Sequence, residues 1–471
     1  MVNDELKYHI RQAFALPPTP EQEQAINTFA NFFGEPQQLS AMILRGAAGT
    51  GKTTLAAAIV RALTTMRQKL VLLAPTGRAA KVFSLYAGQP AYTIHRRIYR
   101  QKTLEGDFTL NYNVAQDTLF IVDEASMIPP SLLSDLLQFV YGGRRCRLLL
   151  IGDYAQLPPV GETASPALST ACLRDYDLQV YESTLNEVLR QAAESGILYN
   201  ATTIRLLSTA DGMAAGHATL PHIRLNGFED IEVVTGDELI EQLTSSYSQA
   251  GLDDTIVVTR SNKRAIIYNA GIRRTILDCD DELCRGDRLM VVKNNYYWAS
   301  PPTSEPTSPS PMAFIANGDI AVVQRFRNVH EQHGFRFADV TLQFPDYDDY
   351  ELTATVLLDT LASESPALTS QQQQQLYERV LADYDDIPQK SERMKRVKQD
   401  RYYNALQVKF AYAVTCHKAQ GGQWAHVYVD QGYMTDDLLT PEYIHWLYTA
   451  FTRATSHLYL VNWPANQTQQ E

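Results

Sequence analysis

The sequence predicts an α/β protein of two parallel-sheet lobes. A small hairpin is inserted in the first lobe, and a β-barrel with a helical extension in the second. Three observations carry that reading. First, short continuous apolar runs at residues 41–46, 69–75, 118–123 and 147–153 alternate with helix-prone stretches. Unbroken apolar runs mark strands buried on both faces of a parallel sheet. Second, the rhythm returns at residues 254–259, 426–430 and 457–461, with helical spacing over 262–276. Third, it is interrupted over about residues 285–405, where runs at 286–292, 320–323, 338–344 and 351–358 read as short strands joined by turns. A chain of 471 residues exceeds one ordinary core. The expected division is a first lobe at 1–195, a second lobe in two parts at 196–284 and 406–471, and the insertion at 285–405.

In chain order, Thr19 and Pro20 read as the cap and first position of a helix whose apolar face carries Ala25, Ile26, Phe29, Phe32 and Phe33. The next run ends in Gly46-Ala47-Ala48-Gly49-Thr50-Gly51-Lys52-Thr53-Thr54 and is followed by a helical stretch over 55–63. Strand, glycine loop and helix in this order form the triphosphate-binding pattern G-x-x-x-x-G-K-T. The glycines let backbone N–H groups turn toward phosphate oxygens, and the helix adds its positive N-terminal end. Lys52 is expected to reach the β- and γ-phosphates and Thr53 to ligate Mg²⁺. The run at 118–123 ends in Asp123-Glu124, which suits a Mg²⁺ ligand followed by the carboxylate that orients an attacking water. Gln156, just past the run at 147–153, places an amide where it can sense phosphate. Within this lobe, residues 96–117 leave the α/β rhythm and read as a hairpin with a strand over 108–113.

Composition bounds the rest. Hydrophobic residues at 45% and charged ones at 20% describe a globular chain, and no apolar run approaches a membrane span. The N-terminus lacks the basic start and apolar core of a signal peptide, so a cytoplasmic setting is expected. On that footing the five cysteines (146, 172, 279, 284 and 416) read as incidental thiols, with no second pair to complete a zinc site. The net charge of −12 argues against coating nucleic acid by bulk charge. Local basic runs do occur at 95–102, 144–147 and 390–401, offset by acidic runs at 280–282, 346–351 and 383–386. A Ser/Pro-rich loop spans 300–311, and a glutamine run at 371–375 opens a helix with Leu376, Val380, Leu381 and Tyr384 on one face.

With further motifs, the set resembles the RecD-like and Dda-like branch of superfamily 1 helicases. Residues 19–22 resemble its adenine-reading glutamine motif. Residues 46–53, 123–124 and 152–156 resemble its ATPase motifs. Residues 74–81 and 93–95 resemble its first-lobe DNA motifs. Residues 189–191, 414–421 and 447–454 resemble its later motifs. The resemblance runs from about residue 19 to 461 in the expected order. It implies two RecA-like lobes, an SH3-like barrel, ATP and Mg²⁺ as cofactors, and single-stranded DNA and duplex junctions as partners. It further implies 5′ to 3′ movement; DNA repair, replication restart, recombination and a mobile element all stay open as its setting, and a monomer suffices mechanically. Residue by residue, it assigns Gln22, Gly46, Ala47, Ala48, Gly49, Thr50, Gly51, Lys52, Thr53, Thr54, Gln156, Arg190, Gly421 and Arg453 to ATP. The catalytic set among the motifs is Lys52, Glu124, Gln156, Arg190 and Arg453. Thr76, Arg78, His95, Thr415 and His417 are expected on DNA, and Phe108, with the hairpin at 102–113, is expected to act as the pin that splits duplex. The competing readings are an ATP-switched nucleic-acid clamp and an RNA- or protein-remodelling factor; the complete hydrolytic set favours the motor.

Overall fold

The computed structural model describes residues 2–14, 17–34, 39–101, 108–187, 194–207, 221–299, 312, 314–434 and 438–469. Along the first lobe come β1 (Ser40–Gly46), β2 (Lys69–Ala74), β3 (Ala91–Thr93), the pair β4 (Tyr99–Gln101) and β5 (Phe108–Leu110), then β6 (Thr118–Val122), β7 (Arg147–Gly152) and β8 (Gln179–Leu185). All but β4 and β5 join one parallel sheet in the order β3-β2-β6-β7-β1-β8. The apolar runs are unbroken because both faces are covered. Successive residues of a strand point to opposite faces, so Met42 and Leu44 pack with Phe29, Ile59 and Phe83 on one side. Ala41 and Ile43 pack with Leu133, Leu136 and Val140 on the other. Burying a side chain of this size contributes about 1.5–3 kcal/mol. The edge strands β3 and β8 were not legible in the sequence: β3 has three residues, and β8 (Gln-Val-Tyr-Glu-Ser-Thr-Leu) has neither a continuous apolar run nor a regular alternation.

The hairpin is present as the antiparallel β4–β5 pair, with Tyr99 opposite Leu110. It is shorter than the strand expected over 108–113. Residues 102–107 at its tip, and the side chain of Phe108, lie outside the described residues.

The second lobe contains β9 (Ile223–Arg224), β10 (Ile231–Val234) and β11 (Thr255–Thr259). The chain then leaves for the barrel strands β12 (Arg288–Val291), β13 (Ile320–Gln332), β14 (Phe335–Phe344), β15 (Tyr350–Leu357) and β16 (Leu406–Phe410). It returns for β17 (Ala413–Thr415), β18 (Trp424–Asp430), β19 (Ala454–Val461) and β20 (Thr468–Gln469). The second parallel sheet runs β10-β19-β18-β11-β17, and β9 pairs with β20 apart from it.

The barrel is closed, and differs from expectation at two places. β13 continues to Gln332 rather than stopping at 323, because its second half is a polar, exposed ribbon without an apolar signal. It turns into β14 at His333-Gly334, where both residues have positive φ (52° and 70°) as a two-residue hairpin turn requires. The barrel also reaches past residue 405. β16 closes it by pairing antiparallel with β12 and parallel with β15. The helical extension comprises Ser370–Ala382, opened by a Thr369/Gln372 capping box, and Lys390–Lys398. Leu376, Val380 and Val397 pack on Phe335 and Phe337 of the barrel.

Where the second lobe hands over to the barrel, Arg273 makes a bidentate pair with Asp287 (2.8 and 2.9 Å) and lies 4.1 Å over the Phe410 ring. Both partners are buried. Beside them Cys279 and Cys284 are joined in a disulfide, which corrects the reading of all five cysteines as thiols. Cys146, Cys172 and Cys416 are free, and burial pushes the Cys416 thiol up to about 12. Among the described residues no helix is long and apolar enough to cross a membrane.

Candidate nucleotide cleft and strand groove

The glycine loop at the end of β1 adopts the conformation its residues were expected to serve. Gly49 and Gly51 take positive φ (77° and 76°), and the helix Lys52–Thr65 starts directly after Gly51. Lys52 Nζ donates to the carbonyl of Gly46 at 2.8 Å, and the Thr50 hydroxyl donates to that of Ala47 at 2.9 Å. Thr53 and Thr54 are exposed on the first turn of that helix.

Gln22 lies beside the glycine loop. Its Nε2 donates to the Thr50 carbonyl (3.1 Å) and its Oε1 accepts from Thr19 N–H (3.0 Å). Both ends of the amide are occupied, and Gln22 is absent from the cleft lining. It braces the glycine loop from behind.

The loop opens into a cleft of about 340 Å³ between the lobes. Ala47, Ala48, Gly49, Gly51, Lys52, Thr53, Asp123, Glu124 and Gln156 line it from the first lobe, and Gly421, Thr452 and Arg453 from the second. Glu124 has φ of 52°, a left-handed conformation that a non-glycine residue adopts at a cost of about 1–3 kcal/mol. The turn sets Glu124 at the cleft, while its N–H donates to Asp123 Oδ1 at 2.9 Å. Burial pushes both carboxyls up. The Arg453 charge opposes this at Glu124, and a hydrogen bond from Tyr86 opposes it at Asp123. Arg453 is 2% exposed and held by the carbonyls of Thr449 and Gly422 (3.1 Å each). Gln156 is buried, and its Oε1 has no hydrogen-bond partner among the described residues. An orphaned buried acceptor bordering a cleft suits a ligand or water that donates to it. Arg190 lies outside the described residues.

Thr53 and Asp123 fit a Mg²⁺ site. The Tyr86 hydroxyl donates to Asp123 Oδ2, and the Thr53 hydroxyl reaches the same phenolic oxygen, so the two oxygen ligands converge on one point. Hard oxygen donors of this kind, few in number, are what Mg²⁺ takes from a protein beside phosphates.

Other contacts between the lobes were not foreseen. The Tyr448 hydroxyl donates to Asp153 and accepts from Ala48 N–H (2.9 Å). Thr449 Oγ1 accepts from Leu157 N–H (2.8 Å), and His445 Nδ1 meets the Ala155 carbonyl (2.8 Å). Gln420 Nε2 donates to the Leu157 carbonyl at 2.7 Å. His445, Tyr448, Thr449 and Thr452 sit at i, i+3, i+4 and i+7, one face at helical spacing. That spacing was the available signal.

A groove separates the first lobe from the barrel. Thr76, Thr93 and His95 line one wall, Asn294, Phe314 and Asn317 the other. Thr76 and Thr93 also cap the helices Gly77–Ala87 and Ile94–Ile98. Burial pushes the His95 and His417 imidazoles down, so both are neutral at pH 7. Thr415 lines an adjoining cavity between the second lobe and the barrel, with Lys409 and Lys418. Burial lowers both lysines to about 8. His417 is half-buried and lines neither cavity. Arg78, expected on DNA, contacts the second lobe in this structure. Its guanidinium stacks 4.2 Å over Trp424 and donates to the Gln423 carbonyl at 3.0 Å, tying the lobes together.

Residues 18–218 match a family described as AAA domain, and residues 410–461 one described as UvrD-like helicase C-terminal domain. The chain is 34% identical over 270 residues to the ATP-dependent RecD2 DNA helicase of Deinococcus radiodurans, covering 54% of this chain and 34% of that protein. It is 29% identical over 263 residues to the ATP-dependent DNA helicase dda of Enterobacteria phage T4, covering 53% and 55%. The chain is thus similar in sequence to the RecD2 and Dda helicases over about half of its length. The chain spans 34%, 55% and 34% of the length of the first three curated relatives it matches. Its two lobes and closed five-stranded barrel are the architecture expected from the sequence. A solved structure of Pif1 helicases at forked DNA overlays with a TM-score of 0.48 at 15% identity, covering 97% of this chain and 95% of that one.

Proposed function

We propose that the chain is an ATP-dependent DNA helicase that moves 5′ to 3′ along single-stranded DNA and opens duplex ahead of it. The observation that carries this reading is the cleft itself. Lys52, Thr53, Asp123, Glu124 and Gln156 from one lobe meet Arg453, buried and bordering the same space, from the other.

In this reading Lys52 exchanges the Gly46 carbonyl for the β- and γ-phosphates. Thr53 and Asp123 would hold Mg²⁺, which would supply neutralisation of phosphate charge when bound. Glu124 accepts a proton from the water that attacks the γ-phosphorus, and the bond to the ADP oxygen breaks as the new P–O bond forms. Arg453 stabilises charge on the transferring group, with an effect that can reach several powers of ten in rate. Because Arg453 belongs to the second lobe, its fit to the γ-phosphate depends on lobe closure. Hydrolysis thereby becomes a hinge signal. The groove faced by Thr76 and His95 and the cavity faced by Thr415 suit a strand contacted by hydroxyls and neutral imidazole, without base readout.

The test is ATPase activity with and without single-stranded DNA, then unwinding of 5′-tailed and 3′-tailed duplexes. DNA stimulation and unwinding of the 5′-tailed substrate alone are expected. Absence of stimulation would refute the motor. Glu124→Gln should retain ATP binding and lose turnover by at least about a hundredfold, in the range of general-base catalysis.

A further inference from the structure

The Tyr86 hydroxyl occupies the point on which Thr53 and Asp123 converge. Tyr86 lies in the last turn of the helix Gly77–Ala87. The first turn of that helix borders the strand groove. Thr76 caps it and faces the groove, and Gly77 lies so close to the barrel that a Cβ there would come within 2.5 Å of Asp319 Oδ1. Arg78, one residue on, is stacked on Trp424 of the second lobe. Lys81 on the next turn pairs with Asp346 of the barrel at 2.7 Å. One rigid rod of roughly 16 Å therefore links the groove, the barrel and the second lobe to the metal-binding pair. Packing of Phe83 and Ala87 in the core keeps it from bending freely.

We propose that Tyr86 is a positioning residue through which the strand groove controls the Mg²⁺ ligands. Its hydroxyl holds Asp123 and Thr53 together in place of the ion. A strand seated at Thr76 shifts the helix, withdraws the hydroxyl and frees both oxygens. The phenol suits the task. Its hydroxyl is a donor set at the end of a rigid ring, on a helix whose other end borders the groove. The inference rests on the ATPase reading and adds to it a physical link between strand binding and metal binding.

The experiment follows binding of a fluorescent ADP analogue to the full chain across a Mg²⁺ titration, with and without an oligothymidylate. In the wild type, the strand should lower the Mg²⁺ concentration at half-saturation. In Tyr86→Phe it should already be lower without the strand by about tenfold, the effect of one hydrogen bond to a charged partner, and the strand should add nothing. An unchanged Mg²⁺ dependence in Tyr86→Phe overturns the role of Tyr86 and leaves the ATPase reading intact. Failure of the wild type to bind the analogue at any Mg²⁺ concentration overturns both. A second measurement avoids removing the hydroxyl. With fluorotyrosine at position 86, the ¹⁹F resonance should move when the strand is added without nucleotide, and a fixed resonance overturns the proposal.

Discussion

Replacing Asp319 by Asn should remove a pH dependence built into the joint between barrel and first lobe. Asp319 is 1% exposed. Its Oδ2 accepts from Ala316 N–H (2.7 Å) and from the Tyr347 hydroxyl (3.1 Å), and its Oδ1 faces Gly77. Burial pushes its carboxyl from 3.8 up to about 7, more than these hydrogen bonds pull it back. Between those two values the folded protein keeps a proton that the unfolded chain releases. Stability from this group is therefore full below about pH 4, falls as pH rises to about 7, and is flat above. A displacement of about three units at 1.36 kcal/mol each is ~4 kcal/mol. Asn keeps an acceptor for Ala316 and cannot ionise. Relative to wild type, Asp319→Asn should thus gain ~4 kcal/mol between about pH 4 and pH 8, roughly 4 °C in melting temperature for a chain of this length. Matched thermal melts across that range test it, because taking the difference between the two proteins cancels the other titrating groups. Parallel curves for the two proteins would refute the reasoning.

Three further outcomes follow from the structure. Arg273→Met leaves Asp287 buried and unpaired and should cost about 3–5 kcal/mol, read as a lower denaturation midpoint. Tyr412 and Cys284 N–H still reach that carboxylate, so the low end is expected. Reducing the Cys279–Cys284 disulfide, which closes a short loop, should cost about 2 kcal/mol, seen as a small drop in melting temperature that Cys279→Ser reproduces. Deleting residues 103–110 should abolish unwinding and spare DNA-stimulated ATPase. Tyr99 stands at once in the β4 strand and in the groove wall, which puts this ribbon beside the groove proposed for the strand. Equal loss of both activities removes the pin assignment.

Local pattern made much of this protein legible. The Gly46–Thr53 spacing, the Asp123-Glu124 pair and Gln156 each follow an apolar strand, and strand ends in a parallel sheet all meet at one rim. Two side chains have surroundings that the motifs do not specify. Gln22 and Arg78 have the right residue type in the right motif, but their polar atoms are spent on neighbours that only the packed chain supplies: the Thr50 carbonyl for one, Trp424 and Gln423 for the other. The second half of β13 was missed because an exposed ribbon carries no apolar alternation, and β16 because barrel closure is a long-range pairing.

By itself, then, the chain's order of residues determined the two lobes, the inserted barrel and the chemistry of each half of the cleft, since these depend on contacts close in sequence. Tertiary structure decided what faces what. Tyr448 on the glycine loop, Tyr86 on Asp123 and Thr53, Arg78 on Trp424 and Asp319 against Gly77 each join distant parts of the sequence. Such pairings are set by how rigid sheets and helices pack, and no local spacing encodes them.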